Sequence, residues 1–341
     1  MFKKSFLKIV IAAGIVIFLT GLTFILPNVN SNKGKTEYLL IRKNTKFEDI
    51  IDSLKNKSSF ISTLTFSIDA KLTGYPHKIK EGRYELKAGM SNIRLLNNLS
   101  KGRQKPVNLT FNNIRTEEQL CARLANQLMV DSTTLHKLLS DSTLLQSYGL
   151  TENTVICLFI PNTYEVYWNI SPKKLIKKIH TEYLRFWDSS RLAKAQKMNL
   201  RPYQISTLAS IVEEESNMKS EKPMIAGLYL NRLHADMPLQ ADPTIKFALK
   251  DFSIKRVLFK HIQDSKNSPY NTYINKGLPP GPIRVPSIES MDAVLNYKVH
   301  PYFFMCAKGS GGKGHDFART FKEHLQNAAR YRNEMDKLGI K

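Results

Sequence analysis

The chain has 341 residues, 42% apolar and 23% charged, which excludes a disordered or fibrous protein and leaves room for two folded units. Its 51 Lys and Arg face only 29 Asp and Glu, a net charge of +22, so an anionic neighbour is expected: nucleic acid, an acidic leaflet or an acidic polymer. Cys121, Cys157 and Cys306 are too dispersed for a CxxC metal or redox pair and too few for a disulfide framework.

Residues 9–26, IVIAAGIVIFLTGLTFIL, form an uncharged apolar run long enough to cross a bilayer core. Lys3, Lys4 and Lys8 precede it, as expected of an amino terminus left in the cytoplasm. The run is longer than a usual signal-peptide core and no small-residue cleavage site follows Leu26, so residues 1–27 read as a cytoplasmic stub and an uncleaved anchor. The rest of the chain is then expected outside the cytoplasm. That placement, and the scatter of the lysines, argue against nucleic acid as the partner and for an envelope polymer or a lipid surface.

Residues 28–36 read as a linker, with a polar tether over Asn28 to Lys35. A pattern of short apolar strand, polar turn and amphipathic helix then recurs three times. Its strands are expected over residues 37–41, 82–86 and 107–111, and its helices over 47–54, 92–99 and 117–128. The fold class is therefore α+β, with a small α+β module over 37–105 and a larger, mostly helical domain over 106–341. In that domain a helix is predicted over 132–145, and Phe159-IPNTYEVYW breaks the helical period. Ser171-Pro-Lys-Lys opens a helix expected to run past Trp187, because serine caps and proline fits the first turn. Gly277-LPPGPIRVP is too rich in proline and glycine for regular structure, and Lys308-GSGGKGH reads as a flexible turn.

From Pro202, YQISTLASIVEEES spaces Ile205, Leu208, Ile211 and Val212 as one apolar stripe of a helix. At about 100° per residue from Leu208, Glu215 falls at about −20°, on the stripe, whereas Glu213 and Glu214 fall at about +140° and −120°. A carboxyl on a buried face loses hydration, its pKa rises, and it can hold the proton that a general acid donates. Glu213 and Glu214 are expected to be solvated and structural. A salt bridge to a basic residue at the core edge is the competing role for Glu215.

Several stretches in one order carry a resemblance: Leu208-ASIVEEES, Ile225-AGLYLNRL, Met237-PLQADPTIKFAL and Ser268-PYNTYINKGLPPGPI, with Phe159-IPNTYEVYW before them. Together they resemble the MltG/YceG family of endolytic murein transglycosylases over nearly the whole chain, most strongly over 205–317. The resemblance implies a LysM-like module over 37–105 and a YceG-like catalytic domain over 106–341. It implies a single-pass protein of the inner (cytoplasmic) membrane, with its catalytic domain facing the periplasm or cell exterior. Its activity would be internal cleavage of nascent peptidoglycan strands between N-acetylmuramic acid and N-acetylglucosamine, leaving 1,6-anhydro ends and ending elongation. Peptidoglycan synthases are the implied partners, and no cofactor is implied. The resemblance assigns catalysis to the second Glu of a Glu-x-Glu pair, here Glu215, with Glu213 in support. Two departures stand out: Arg284-Val-Pro-Ser287 replaces small or amide residues ending in Pro-Gly, and the glycine turn before His315 is long.

Gln240, Asp242 and Thr244 are expected to bind sugar or orient the acid, with helix capping by Asp242 and Thr244 as the alternative. Tyr270, Asn271 and Tyr273 are expected to contact pyranose rings, with turn packing as the alternative. Asn231 is either a site amide or a helix-face residue, and His315 is expected to be structural. No P-loop, HExxH or GxSxG pattern occurs, so no metal or nucleotide chemistry is expected. Two rival functions stay open: a non-catalytic peptidoglycan-binding anchor, and an ordinary hydrolase with Asp242 or Glu213 as base.

Overall fold

A computed structural model describes residues 2–30, 36–57, 59–308 and 314–337. Residues 31–35 of the expected tether and 309–313 of the expected flexible turn lie outside the described residues. The fold is mixed α and β, mostly helical, with three two-stranded sheets among the described residues. The chain divides into two compact units. Unit 1 holds residues 1–109, 125–130 and 164–171, and unit 2 holds 110–124, 131–163 and 172–341.

Unit 1 begins with helix α1 (Phe2–Ile25), whose residues 5–25 are long and apolar enough to cross a membrane. Strand β1 (Glu37–Ile41) and helices α2 (Phe47–Lys55) and α3 (Thr63–Leu72) follow, then β2 (Gly82–Leu86) and α4 (Asn92–Lys101). β1 and β2 pair antiparallel from Glu37↔Leu86 to Ile41↔Gly82. Their period of two turns Leu39, Ile41, Tyr84 and Leu86 inward, onto Ile50 and Leu54 of α2, Phe66 of α3 and Leu95 and Leu99 of α4. Helix α3 is absent from the expected strand–turn–helix repeat, because its apolar residues have no single helical stripe. β3 (Val107–Thr110) and β4 (Thr163–Val166) form the second pair.

The expected tether is, at its start, part of this core. Val29 is buried and makes a bridge to Phe60, and Asn28 is held by Ser62 and Asn92. A short polar stretch reads as linker in sequence, yet here its amides complete a hydrogen-bonded network.

Unit 2 contains α5 (Glu117–Ala125), α6 (Ser132–Leu139), α7 (Ser142–Ser147), α8 (Pro172–Phe186) and α9 (Ser189–Lys197). Three of these stop sooner than the sequence suggests. The predicted 117–128 helix ends at Ala125, and the predicted 132–145 helix splits where Asp141 caps α7 by accepting from Thr143 and Leu144 amides. α8 ends at Phe186 because Asp188 caps α9, accepting from the Arg191 amide. In both splits a local side-chain cap outcompetes continuation of the helix.

At the centre lies α10 (Pro202–Glu215), packed by α11 (Lys222–His234), α12 (Asp242–Ala248) and α14 (Ile288–Leu295), with the short α13 (Phe259–Asp264) between the last two in sequence. α10 is buried on every side from Ile205 to Val212, not along one stripe. Its small polar residues make this possible. Thr207 Oγ1 donates to Tyr203 O at 2.8 Å, and Ser210 Oγ donates to Thr207 O at 2.7 Å while accepting from Ile283 N at 3.0 Å. A hairpin of β5 (Phe304–Ala307) and β6 (His315–Ala318), and helix α15 (Phe321–Lys337), complete the unit.

Candidate active site

Glu215 is the last residue of α10, and Ser216 leaves the helix in an extended conformation. The side chain is partly covered, its open part facing a cleft of about 360 Å³. The floor and one wall come from Glu215, Tyr229, Arg232, Gln240, Asp242 and Tyr273; the β5–β6 hairpin and the start of α15 supply the other wall. Tyr229, buried on α11, donates its hydroxyl to Glu215 Oε1 at 2.7 Å. Burial raises the Glu215 pKa from the ordinary carboxylate value to about 7. The Tyr229 hydrogen bond opposes that rise, as do His315 and Lys246, while the charge of Asp242 adds to it. A carboxyl poised near neutrality can donate a proton and take one back.

The other two glutamates are not solvated as expected. Glu214 meets Arg115 through two hydrogen bonds of 3.1 and 3.0 Å and Arg284 at 2.7 Å. Glu213 meets Arg284 at 3.3 Å and accepts from the Ser287 amide. Arg284, the departure within the proline-rich loop, thus ties that loop to the end of α10. Long-range partners neutralise both carboxylates, and such partners leave no trace in a helical period.

The remaining expected site residues separate into two groups. Gln240, Asp242 and Tyr273 line the cleft, with Tyr273 donating its hydroxyl to Asp242 Oδ1. Gln240 has φ of 51°, a left-handed conformation that costs a non-glycine residue energy; its amide donates to Thr272 O at 2.9 Å, which holds the turn. Thr244, Asn271, Asn231 and Tyr270 do not line it. Thr244 is fully buried, bonded to Ala241 O and Thr272. Asn271 is fully buried, donating to Ile262 O and Ser265 and accepting from Tyr273 N. Asn231 donates to the carbonyls of His300 and Tyr302, and Tyr270 packs on Phe247 at 4.7 Å between ring centroids. These four amides, hydroxyls and rings have protein partners in place of open space, so they position the loops that carry the cleft residues.

Two further cleft residues, Arg232 and His315, are not among the expected site residues. Arg232, buried on α11, donates to Phe303 O at 2.7 Å and Leu239 O at 2.8 Å, bracing both walls. His315 lines the cleft, and its Nδ1 pairs with Glu221 Oε2 at 2.9 Å, whose carboxylate also accepts from Ser216 Oγ at 2.9 Å. Burial works against the charge of Glu221, but the bonds from His315 and Ser216 outweigh it and keep the pKa below the usual carboxylate range. Gly314 has φ of 99°, and a Cβ there would sit 2.6 Å from Glu221 Oε1, so only glycine fits. Among the described residues no group of three or more His, Cys, Asp or Glu is arranged to hold a metal ion.

The profile of the YceG-like family matches residues 39–330. The chain belongs to the YceG-like family. It is 28% identical over 356 aligned positions to the endolytic murein transglycosylase of Streptococcus pneumoniae serotype 2 strain D39, covering 96% of this chain and 64% of that relative. The chain thus spans less than two thirds of the length of that relative. It is 38% identical over 136 positions to the endolytic murein transglycosylase of Bacillus subtilis strain 168, over 40% of this chain and 36% of that one. The crystal structure of a yceG-like protein from Listeria monocytogenes is similar with a TM-score of 0.59 and 25% identity, over 85% of this chain and 98% of that one.

Proposed function

We propose that this YceG-like chain is an endolytic lytic transglycosylase of peptidoglycan, with Glu215 as its acid and base. The observation that carries the reading is the cleft carboxyl with a pKa of about 7, hydrogen-bonded by Tyr229. Glu215 protonates the oxygen between N-acetylmuramic acid and N-acetylglucosamine, and the C1–O bond breaks. The resulting carboxylate takes the proton of the muramyl 6-hydroxyl as that oxygen bonds to C1. One carboxyl gives one proton and recovers one, and no water is consumed. The acetamido group of the sugar stabilises the positive charge that develops at C1. A hydrolase needs a second carboxyl to activate water; Asp242 shares the cleft but already accepts from Tyr273.

Gln240, Asp242 and Tyr273 are the sugar-contacting residues in this reading. The strand–helix–helix–strand order of β1, α2, α3 and β2 supports a LysM-like, glycan-binding unit 1. The span over 5–25, with lysines before it, supports a single-pass inner-membrane protein whose unit 2 faces the periplasm or cell exterior. Peptidoglycan synthases are the partners that make the strand it cuts.

The test uses detergent-solubilised full-length protein with purified glycan strands, read by mass spectrometry. Internal cleavage leaving 1,6-anhydro ends is expected, and Glu215→Gln should lose it. Reducing ends carrying oxygen from labelled water would mean hydrolysis; intact strands would mean a binding protein.

A further inference from the structure

Helix α3 is apolar on two faces. Phe66 and Ala70 are buried in the core of unit 1, while Leu64, Ile68 and Leu72 are 70%, 45% and 64% exposed. These three recur every fourth residue, so they form one continuous strip along the helix. Ile61, just before the helix, is also exposed. A surface helix of a water-soluble unit keeps that side polar, and a helix apolar all round belongs in a core or in lipid.

What covers the strip follows from its neighbour. Thr23, in the last turn of α1, donates Oγ1 to Asp69 Oδ1 of α3 at 2.8 Å. Asp69 is fully buried, and its other oxygen accepts from Asn92 Nδ2 of α4 at 2.8 Å. Asn92 Oδ1 in turn accepts from Asn28 Nδ2 at 2.7 Å, and Asn28 Oδ1 accepts from the Ser62 amide at the start of α3 at 2.8 Å. The outer end of the apolar span is thus joined to α3 by a connected set of buried and partly buried hydrogen bonds. The 21-residue span, at about 1.5 Å per residue, is about 32 Å long, close to the roughly 30 Å of a bilayer core. It has no spare length with which to lift α3 clear of the interface. Exposed Lys71, Lys78 and Lys80, at the end of α3 and just after it, suit anionic headgroups.

We propose that α3 is a second membrane contact, lying in the outer interface of the bilayer that α1 crosses, with Leu64, Ile68 and Leu72 inserted among anionic lipids. This rests on reading α1 as a membrane span. An interfacial helix of this kind buries its apolar face about 5–10 Å into the headgroup region. Unit 1 is then pinned flat on the membrane instead of swinging on a tether.

The experiment reconstitutes the full chain, in a Cys306→Ser background, into vesicles of phosphatidylglycerol and phosphatidylethanolamine. One cysteine added at Leu64→Cys, Ile68→Cys, Val16→Cys or Glu48→Cys carries an environment-sensitive fluorophore, the remaining Cys121 and Cys157 being buried, and lipids bear a nitroxide near the headgroup or near the chain end. Val16 should be quenched mainly by the chain-end nitroxide, Leu64 and Ile68 mainly by the headgroup-end one, and Glu48 on α2 by neither. If Val16 is quenched while Leu64 and Ile68 behave like Glu48, the interfacial helix is wrong and the span stands. An unquenched Val16 removes the span itself and the inference with it. Self-quenching between labelled copies, without nitroxide quenching, would make the strip a face for a second copy and overturn the lipid contact.

Discussion

Glu213, Glu214 and Glu215 are three consecutive carboxyls with three environments. Arginines compensate the first two, and the third loses solvent while keeping a neutral hydroxyl donor. If Glu215 is the acid, cleavage needs its protonated form, so the rate should fall as pH rises through about 7. Tyr229→Phe removes a bond that favours the carboxylate, so this fall should move to higher pH in a pH–rate profile. Stability should follow the same group. Its folded pKa of about 7 lies above an unfolded value near 4.5, so the stability that this one group contributes is fully present below about 4.5 and is lost as pH rises through about 7. The loss is roughly 3 kcal/mol, and Glu215→Gln should flatten that part of a denaturant-melt series between pH 4 and 8.

Elements meet in unit 2 through close packing and through one shared cation. Gly227 lets α11 approach the chain at 298–300: an added Cβ would lie 2.2 Å from Lys298 O and 2.8 Å from His300 Nε2. Gly227→Ala should cost about 1–3 kcal/mol in chemical denaturation, because backbone blocks the methyl group. Arg284 joins the proline-rich loop to the end of α10 through two largely covered carboxylates. Arg284→Met should therefore cost roughly 2–3 kcal/mol, less than a full loss because Glu214 retains Arg115. Its kinetic effect should appear as lower kcat, since Glu215 is the next residue along the same helix end.

At the scale of the molecule, unit 1 starts before its first strand. Asn28 and Val29 supply a buried amide and a core side chain to α3 and α4. A chain beginning at Pro27 should keep unit 1 folded, whereas one beginning at Thr36 leaves Asn92 and the Ser62 backbone without their Asn28 partner and should melt several degrees lower by circular dichroism. Both fragments lack α1, so any difference between them reports on residues 27–35 alone.

Local chemistry made much of this readable in one dimension. The apolar length of the span, the alternating strands 37–41 and 82–86 and the glutamate at the end of an apolar helix all depend on neighbours within a few residues. The ordered motifs of the YceG-like family were legible for the same reason, being contiguous. What only the tertiary structure decided involves partners far apart in sequence: Tyr229 on Glu215, Arg284 on Glu213 and Glu214, Glu221 on His315, and Thr23 on Asp69. It also decided which polar side chains are spent inside, since Thr244 and Asn271 carry the same donors as cleft residues but meet protein instead of open space. Periodicity reports which face of a helix is apolar; it carries no information on what another element brings to that face.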